Sequence, residues 1–170
     1  MSRKASRDAA LQELLDKQAI HEVLLRYCRG VDRRDEELLR SVYHADAIHE
    51  HGEHAMNARE FAGVIIASIR RFAATSHFLT NVLVEVRGDL AHAESYVLAC
   101  HRTERNGEKS DLTLALRYVD RLERREGIWG IVHRLALHDW SREDPLEREW
   151  PDARSMIQGL QSREDRSYRR

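Results

Sequence analysis

The sequence is poor in cysteine and proline, carries almost no net charge and has no long apolar run. Its 170 residues include two cysteines, and because neither lies in a CxxC pair, no disulfide framework is indicated. The formal net charge of -1 leaves no basic excess for binding nucleic acid or acidic membranes. No stretch approaches the roughly 18 apolar residues of a membrane span, and none has the form of a signal peptide. We therefore expect a cytoplasmic protein that binds neither nucleic acid nor membranes.

The common motifs of nucleotide, hydrolase and metalloprotease sites are also missing. The sequence contains no GxGxxG, Walker loop, GxSxG or HExxH pattern. Its most conspicuous polar cluster is HEHGEH at residues 49–54, which has the composition of a metal site. A zinc site needs three or four ligands in a tetrahedral array, and neighbouring side chains of a strand point to opposite faces. We therefore expect this segment to bind no metal. In the alternative interpretation, His49, His51 and a carboxylate are three ligands of a metal site.

Three helices are predicted in the first part of the chain. Apolar residues at helical spacing predict the first from about Ser6 to Arg29. Gly30 is predicted to end it, since glycine accepts the left-handed conformation of helix ends, which leaves Asp32 in the following connection. Asp35 is predicted to cap a second helix. A third helix is predicted over about residues 57–71, with Asn57 as its cap because Asn57 and Glu60 have capping-box spacing.

The rest of the domain is predicted to be a sheet. A short strand and turn are expected at residues 47–54, and from His77 the apolar period changes to two. Four long strands follow, with turns at RGD, Asn-Gly and REG. These elements indicate an α+β fold in which helices cover one face of a curved, mostly antiparallel sheet. We expect one domain over residues 1–141 and a charged C-terminal arm over residues 142–170, either frayed or docked on a partner subunit.

Three segments resemble a known family. LLRYCRGVDRRD, SHFLTN and the last-strand sequence RREGIWGIVHRLALHDW are similar to the SnoaL-like branch of the NTF2-like superfamily, and the resemblance covers roughly residues 8–141. That branch includes scytalone dehydratase, bile-acid 7α-dehydratase and hexachlorocyclohexane dehydrochlorinase. The resemblance implies a cone-shaped α+β barrel with three N-terminal helices packed on the sheet. It also implies a deep apolar pocket and an Asp–His pair that works without metal or organic cofactor.

Matched by motif, the resemblance assigns four catalytic residues. Asp32 and His77 correspond to the Asp–His pair, Tyr27 to a tyrosine five residues before the aspartate, and Arg134 to an arginine in the last strand. Imidazole is an effective base near neutral pH, and a carboxylate on one ring nitrogen leaves the other free to take a proton. Taken alone, the same residues could be a strand-edge histidine, a capping aspartate, a core tyrosine and a buried structural ion pair. Arg134 could also pair with Asp32, bind a substrate carboxylate or stabilise an oxyanion.

Four further residues are predicted to line the pocket. His49 and His51 share one strand face, at positions where the resemblance places aromatic pocket residues; a solvated hairpin is the alternative. Asn81 is predicted to lie on the same face as His77, because every second residue of a strand shares a face. His101 resembles a second pocket histidine of scytalone dehydratase, although a strand-edge position would explain it equally well.

These assignments predict a cofactor-free, dehydratase-like lyase or isomerase. Its partner would be a small hydrophobic molecule, either cyclic or polyketide- or steroid-like. His77, oriented by Asp32, would remove a proton α or vinylogous to a carbonyl, while Tyr27 with Arg134 or His51 assists the leaving oxygen or holds the enolate. The alternatives are a non-catalytic NTF2-like module for ligand binding or protein interaction, and a metalloenzyme. Because apolar residues lie on both strand faces, we also expect a homo-oligomer, a trimer or a dimer.

Overall fold

Three helices precede most of the sheet in the computed structural model, which describes residues 3–169. The helices are α1 (Arg3–Asp32), α2 (Glu36–Ser41) and α3 (Ala58–Ile69). Short 3-10 helices follow at Pro151–Ser155 and Arg166–Tyr168. Over this range no helix combines the length and the apolar character that a membrane crossing would require.

The end of α1 differs from the prediction. The helix does not stop at Gly30 but continues to Asp32, and the left-handed residue that follows it is Arg34, with φ 50°. Gly30 serves a packing role instead: a β-carbon there would lie 3.1 Å from the Cβ of Leu39 in α2. Gly30 therefore lets α2 pack closely against α1, and Asp32 occupies the last position of α1.

Both predicted helix caps are confirmed. Asp35 accepts a hydrogen bond from the backbone N–H of Leu38 at 3.1 Å. Asn57 accepts from the backbone N–H groups of Arg59 and Glu60 at 2.9 and 3.4 Å. These bonds satisfy N–H groups that have no partner within their own helices.

A single six-stranded sheet forms the second layer. Its strands are β1 (Tyr43–His51), β2 (His54–Asn57), β3 (Ala74–Arg87), β4 (Leu90–Arg105), β5 (Glu108–Arg125) and β6 (Ile128–Pro145). The order across the sheet is β2-β1-β6-β5-β4-β3, and the β1–β6 pair alone is parallel among the described strands. The predicted α+β architecture is confirmed, but β2 and β3 lie at open edges, so the sheet does not close into the expected barrel.

An irregularity in β3 changes which side chains face the helices. The β3–β4 register shifts between Leu79 and Val82, as at a β-bulge. His77 and Leu79 are partly buried, and so is Val82, whereas Asn81 is exposed. The prediction that Asn81 shares the face of His77 is therefore wrong, because the extra residue reverses the alternation beyond Leu79.

The segment after β6 folds back onto the helices of its own chain. Tyr168 donates a hydrogen bond from its hydroxyl to Asp35 Oδ2 at 2.9 Å, and its ring lies 4.3 Å from the guanidinium carbon of Arg29. Arg34 contacts Gln161 and donates to the carbonyl of Phe72 at 3.0 Å. The arm therefore contacts the α1–α2 connection, immediately after Asp32.

Candidate active site

Asp32 and His77 form a hydrogen-bonded pair where α1 ends and β3 begins. The Nδ1 atom of His77 lies 2.7 Å from Asp32 Oδ1, and the backbone N–H of His77 donates to Asp32 Oδ2 at 2.9 Å. Their side chains are 7% and 14% exposed. One carboxylate thus holds both the ring and the backbone of the same histidine, which fixes the orientation of the imidazole.

The position of the carboxylate determines the tautomer of His77. An ionised carboxylate accepts hydrogen bonds only, so Nδ1 must carry the proton in the bond to Asp32. The other ring nitrogen, Nε2, is then an unprotonated acceptor in neutral imidazole. Such an arrangement supplies a base at Nε2 and a carboxylate that stabilises the imidazolium formed.

The pair borders a partly open cavity of about 240 Å³ between the helices and the sheet. Its apolar wall includes Ile65 and Ile69 from α3 and Leu112, Leu114 and Leu116 from β5. Its polar wall consists of Tyr27, His51, Ser68, Arg71, His77, His101 and Tyr118. This volume suits a molecule with one or two small rings. A larger surface groove of about 920 Å³ at the far ends of β5 and β6 contains none of the predicted site residues.

Tyr27 lies in the cavity wall and remains protonated at neutral pH. The residue is 3% exposed, and burial raises the pKa of its phenol to about 12, although nearby Arg134 acts in the opposite direction. The guanidinium carbon of Arg134 lies 4.1 Å from the centre of the Tyr27 ring. The phenol can therefore donate a hydrogen bond to a bound oxygen but does not supply a phenolate.

Arg134 is buried behind this wall and does not line the cavity. Its Nε and Nη2 atoms donate to the two carboxylate oxygens of Asp120, each at 2.7 Å, and both side chains are fully buried. Asp120 and Arg134 are register partners across β5 and β6. Burial is the largest single influence on the pKa of Arg134 and acts to lower it. The opposing contributions, of which the charge of Asp120 is the largest, together raise the pKa well above its usual value. The geometry is that of a buried structural ion pair, in which Arg134 binds Asp120 rather than Asp32.

The HEHGEH segment forms a hairpin whose histidines have different surroundings. His49 is fully buried behind the cavity, with Nδ1 2.9 Å from the Tyr43 hydroxyl, and burial lowers its pKa to about 2. His51 lines the cavity, and its pKa is also lowered by burial. Glu50 instead contacts His133 Nε2 at 2.6 Å. Within residues 3–169, no three potential ligand side chains converge as a metal site would require.

His101 lines the cavity beside the Asp–His pair. It is 5% exposed, its ring centre lies 4.4 Å from that of Phe72, and it is 5.4 Å from the His77 ring. Burial lowers its pKa to about 4, and the neighbouring His77 contributes to the lowering. A neutral His101 can donate or accept one hydrogen bond at each ring nitrogen, depending on its tautomer.

Of the eight predicted site residues, four line the cavity and a fifth binds one of these four. Tyr27, His51, His77 and His101 line the cavity, and Asp32 binds His77. The other three, His49, Asn81 and Arg134, lie outside it: His49 and Arg134 are buried behind the wall and Asn81 is on the outer face. The sequence interpretation missed Arg71, Ser68 and Tyr118 in the wall and Asp120 behind it.

Comparison with known proteins agrees with the fold. Residues 12–135 match the family model for the SnoaL-like domain. The type 2 hexachlorocyclohexane dehydrochlorinase superposes with a TM-score of 0.71 at 23% identity, covering 84% of this chain and 98% of that one. The type 3 enzyme from Novosphingobium barchaimii gives a TM-score of 0.70 at 24% identity, with coverages of 82% and 96%.

A third structural neighbour carries a different activity in its name. A scytalone dehydratase candidate from Novosphingobium aromaticivorans superposes with a TM-score of 0.66 at 21% identity, covering 81% of this chain and 97% of that one. At these identities the superpositions establish the shared fold. A search of curated proteins found no significant match.

Proposed function

This chain belongs to the SnoaL-like domain family, and we propose that it is a cofactor-free lyase or isomerase for a small, hydrophobic, cyclic substrate. The observation that carries this proposal is the 2.7 Å contact between Asp32 and His77 at the wall of a 240 Å³ cavity. Two structural neighbours, a dehydrochlorinase and a dehydratase candidate, have names that describe eliminations. Proton removal by a base is common to both reactions.

The proposed reaction begins with proton transfer to His77. Nε2 takes a proton from a carbon α or vinylogous to a carbonyl, while Asp32 stabilises the resulting imidazolium. General acid–base catalysis of this kind contributes about 10²–10⁴-fold. The Tyr27 phenol donates a hydrogen bond to the enolate or to the leaving oxygen, and His51 or His101 can serve as a second donor. The product forms when the leaving group departs or when the proton returns to another carbon.

We infer that the substrate enters a cone-like pocket between the helices and the sheet, with residues 1–141 as the SnoaL-like domain and residues 142–170 as its arm. We also infer that the outer sheet face associates with further copies of the chain, as a trimer or a dimer. Support comes from large exposed apolar side chains on that face: Phe78, Leu83, Tyr96 and Trp140. Contiguous exposed apolar groups of this kind are typical of interaction surfaces.

Hydrogen–deuterium exchange tests the proposed function without knowledge of the natural leaving group. Small cyclic ketones and enones are incubated with the protein in D₂O, and deuterium uptake at acidic C–H positions is followed by mass spectrometry. We expect His77→Gln and Asp32→Asn to lower the exchange rate about 10²–10⁴-fold, because each removes the oriented base. His133→Gln is the matched control, since His133 also pairs with a carboxylate, Glu50, but does not line the cavity.

The same assay separates the enzyme from a binding module. Exchange at the wild-type rate in His77→Gln would refute the proposed base. Saturable ligand binding, with no deuterium exchange in the wild type or in any of the variants, would favour the non-catalytic alternative. Circular dichroism and unfolding midpoints of the variants show whether lost exchange reflects lost chemistry or a lost fold.

A further inference from the structure

The cavity wall contains a cation and no carboxylate. Arg71 follows α3 and contributes to the wall, but neither aspartate nor glutamate is among the lining residues. Asp32 lies behind His77, where its two oxygens are already engaged. Arg71 is therefore the one charged arginine, lysine or carboxylate side chain among the lining residues, beside histidines, a serine and phenols, which favours an anionic group on the ligand.

Arg71 has no acidic partner among the residues that the structure describes. No carboxylate of residues 3–169 forms a salt bridge with it, and its guanidinium carbon lies 4.8 Å from the centre of the Phe72 ring. Its neighbours include Arg70 and, on the α1–α2 connection, Arg34, whose pKa is lowered by burial and by Arg70. Of these arginines Arg71 alone lines the cavity, so its charge is the one that a bound ligand would meet directly.

His101 supplies a second polar group next to Arg71. Phe72 lies between them, in contact with the guanidinium of Arg71 and stacked on the His101 ring at 4.4 Å. The Nδ1 atom of His101 is buried and has no hydrogen-bond partner among the described residues. A buried polar atom without a partner is costly unless a ligand or water completes it.

We propose that Arg71 binds a carboxylate of the ligand, so that the substrate class of this site is small cyclic carboxylic acids. The inference rests on the proposed function, because it takes the cavity beside His77 as the substrate site. Arg71 would hold the carboxylate, His101 would contact the ligand beside it, and Leu112, Leu114 and Leu116 would cover the ring. Arg71 then acts as a specificity-determining residue, while His77 performs the proton transfer.

A pair of probes with the same shape and different charge tests this proposal. Benzoate and benzamide are titrated into ¹⁵N-labelled protein at pH 7 and low salt, and the amide shifts give both the Kd and the location of binding. We expect benzoate to shift signals of cavity residues and to bind at least threefold more tightly than benzamide. Arg71→Met should weaken benzoate about three- to tenfold, as expected for one net hydrogen bond, and should leave benzamide unchanged.

Two further arginine variants make the test specific. Arg70→Met removes the same charge one residue earlier, at a position outside the cavity wall, and should change either Kd less than twofold. Arg71→Lys retains the charge and should retain most of the benzoate affinity. Benzoate that binds no more tightly than benzamide, binds outside the cavity, or is weakened equally by Arg70→Met would overturn the proposal.

The binding assay and the exchange assay can fail independently. His77→Gln should lose deuterium exchange but keep benzoate binding, with the same dependence on Arg71. Carboxylate selectivity without exchange in the wild type would refute the proposed catalysis and leave carboxylate recognition supported. Exchange on neutral ketones without carboxylate selectivity would refute the role of Arg71 and leave the catalysis supported.

Discussion

Replacing Arg134 tests whether this arginine holds the fold or takes part in the chemistry. Arg134→Met removes the guanidinium and leaves the Asp120 carboxylate without its partner, at 0% exposure of the side chain. The rings of Tyr27 and Tyr118 lose the cation that lies 4.1 and 4.3 Å from their centres. We therefore expect a large loss of stability, because the substitution buries an uncompensated charge.

The size of the loss follows from the burial of the pair. Breaking a buried ion pair on one side costs about 3–5 kcal/mol, a large share of the about 5–15 kcal/mol that stabilises a typical domain. For a chain of this length each kcal/mol changes Tm by roughly 2–4 °C, so Tm should fall by roughly 6–20 °C. Replacing both partners, as in Arg134→Met with Asp120→Leu, should recover most of the loss, since no charge is then left buried.

Urea unfolding followed by circular dichroism measures these differences. Arg117→Met is the matched control, because Arg117 binds Asp139 with two nitrogens across the same pair of strands but at the surface. Its unfolding midpoint should stay near that of the wild type, since hydration and side-chain entropy offset exposed ion pairs. The reasoning would be refuted if Arg134→Met were as stable as Arg117→Met. It would also be refuted if Arg134→Met with Asp120→Leu were no more stable than Arg134→Met alone.

Two further predictions concern stability. The lowered pKa values of His49 and His101, about 2 and about 4, mean that below about pH 6.5 the unfolded chain binds protons that the folded chain does not. The contribution of each histidine to the free energy of unfolding should therefore be fully present above pH 6.5 and should fall by about 2 kcal/mol at pH 5. Urea unfolding at the two pH values should show a smaller fall for His49→Leu and for His101→Leu than for the wild type. A fall equal to that of the wild type would contradict this prediction. Gly30→Ala should destabilise by about 1–3 kcal/mol, because its β-carbon meets Leu39 at 3.1 Å. Gly63→Ala has its nearest neighbour at 3.5 Å and should stabilise α3 by about 0.5–1 kcal/mol; thermal melts that reverse this order would count against both assignments.

Local signals in the sequence were sufficient where the structure depends on local interactions. The caps at Asp35 and Asn57 depend on side chains that reach N–H groups two or three residues away, so the sequence contains both partners. Gly30 shows the opposite case, because its role depends on Leu39, which reaches it only after α2 folds back. A glycine near a predicted helix end fits either role, and the tertiary contact decides between them.

The charged residues of the site also have roles that depend on tertiary contacts and cannot be predicted from local sequence. Asp120 was missed because its significance depends on the register between β5 and β6, which places it opposite Arg134. Arg71 was missed because it follows the last turn of α3, where helical periodicity no longer indicates a face. Asp32 and His77 were found through the family resemblance, and spacing alone could not have shown that 45 residues of chain bring them within 2.7 Å.

The irregularity in β3 has a structural reason that can be recognised in its sequence once the structure is known. His77 and Leu79 follow one alternation, whereas Val82, Val84 and Val86 follow the opposite one, so a regular strand would turn one of the two sets toward solvent. Both sets are partly buried, because the register shift after Leu79 brings the valines back to the face that packs on α1. The bulge thus reconciles two demands on one strand: an imidazole that faces the cavity at its start and an apolar surface under α1 at its end. Bulges are common next to active sites for this purpose, and a change of phase in an alternating pattern near a candidate histidine is evidence for one.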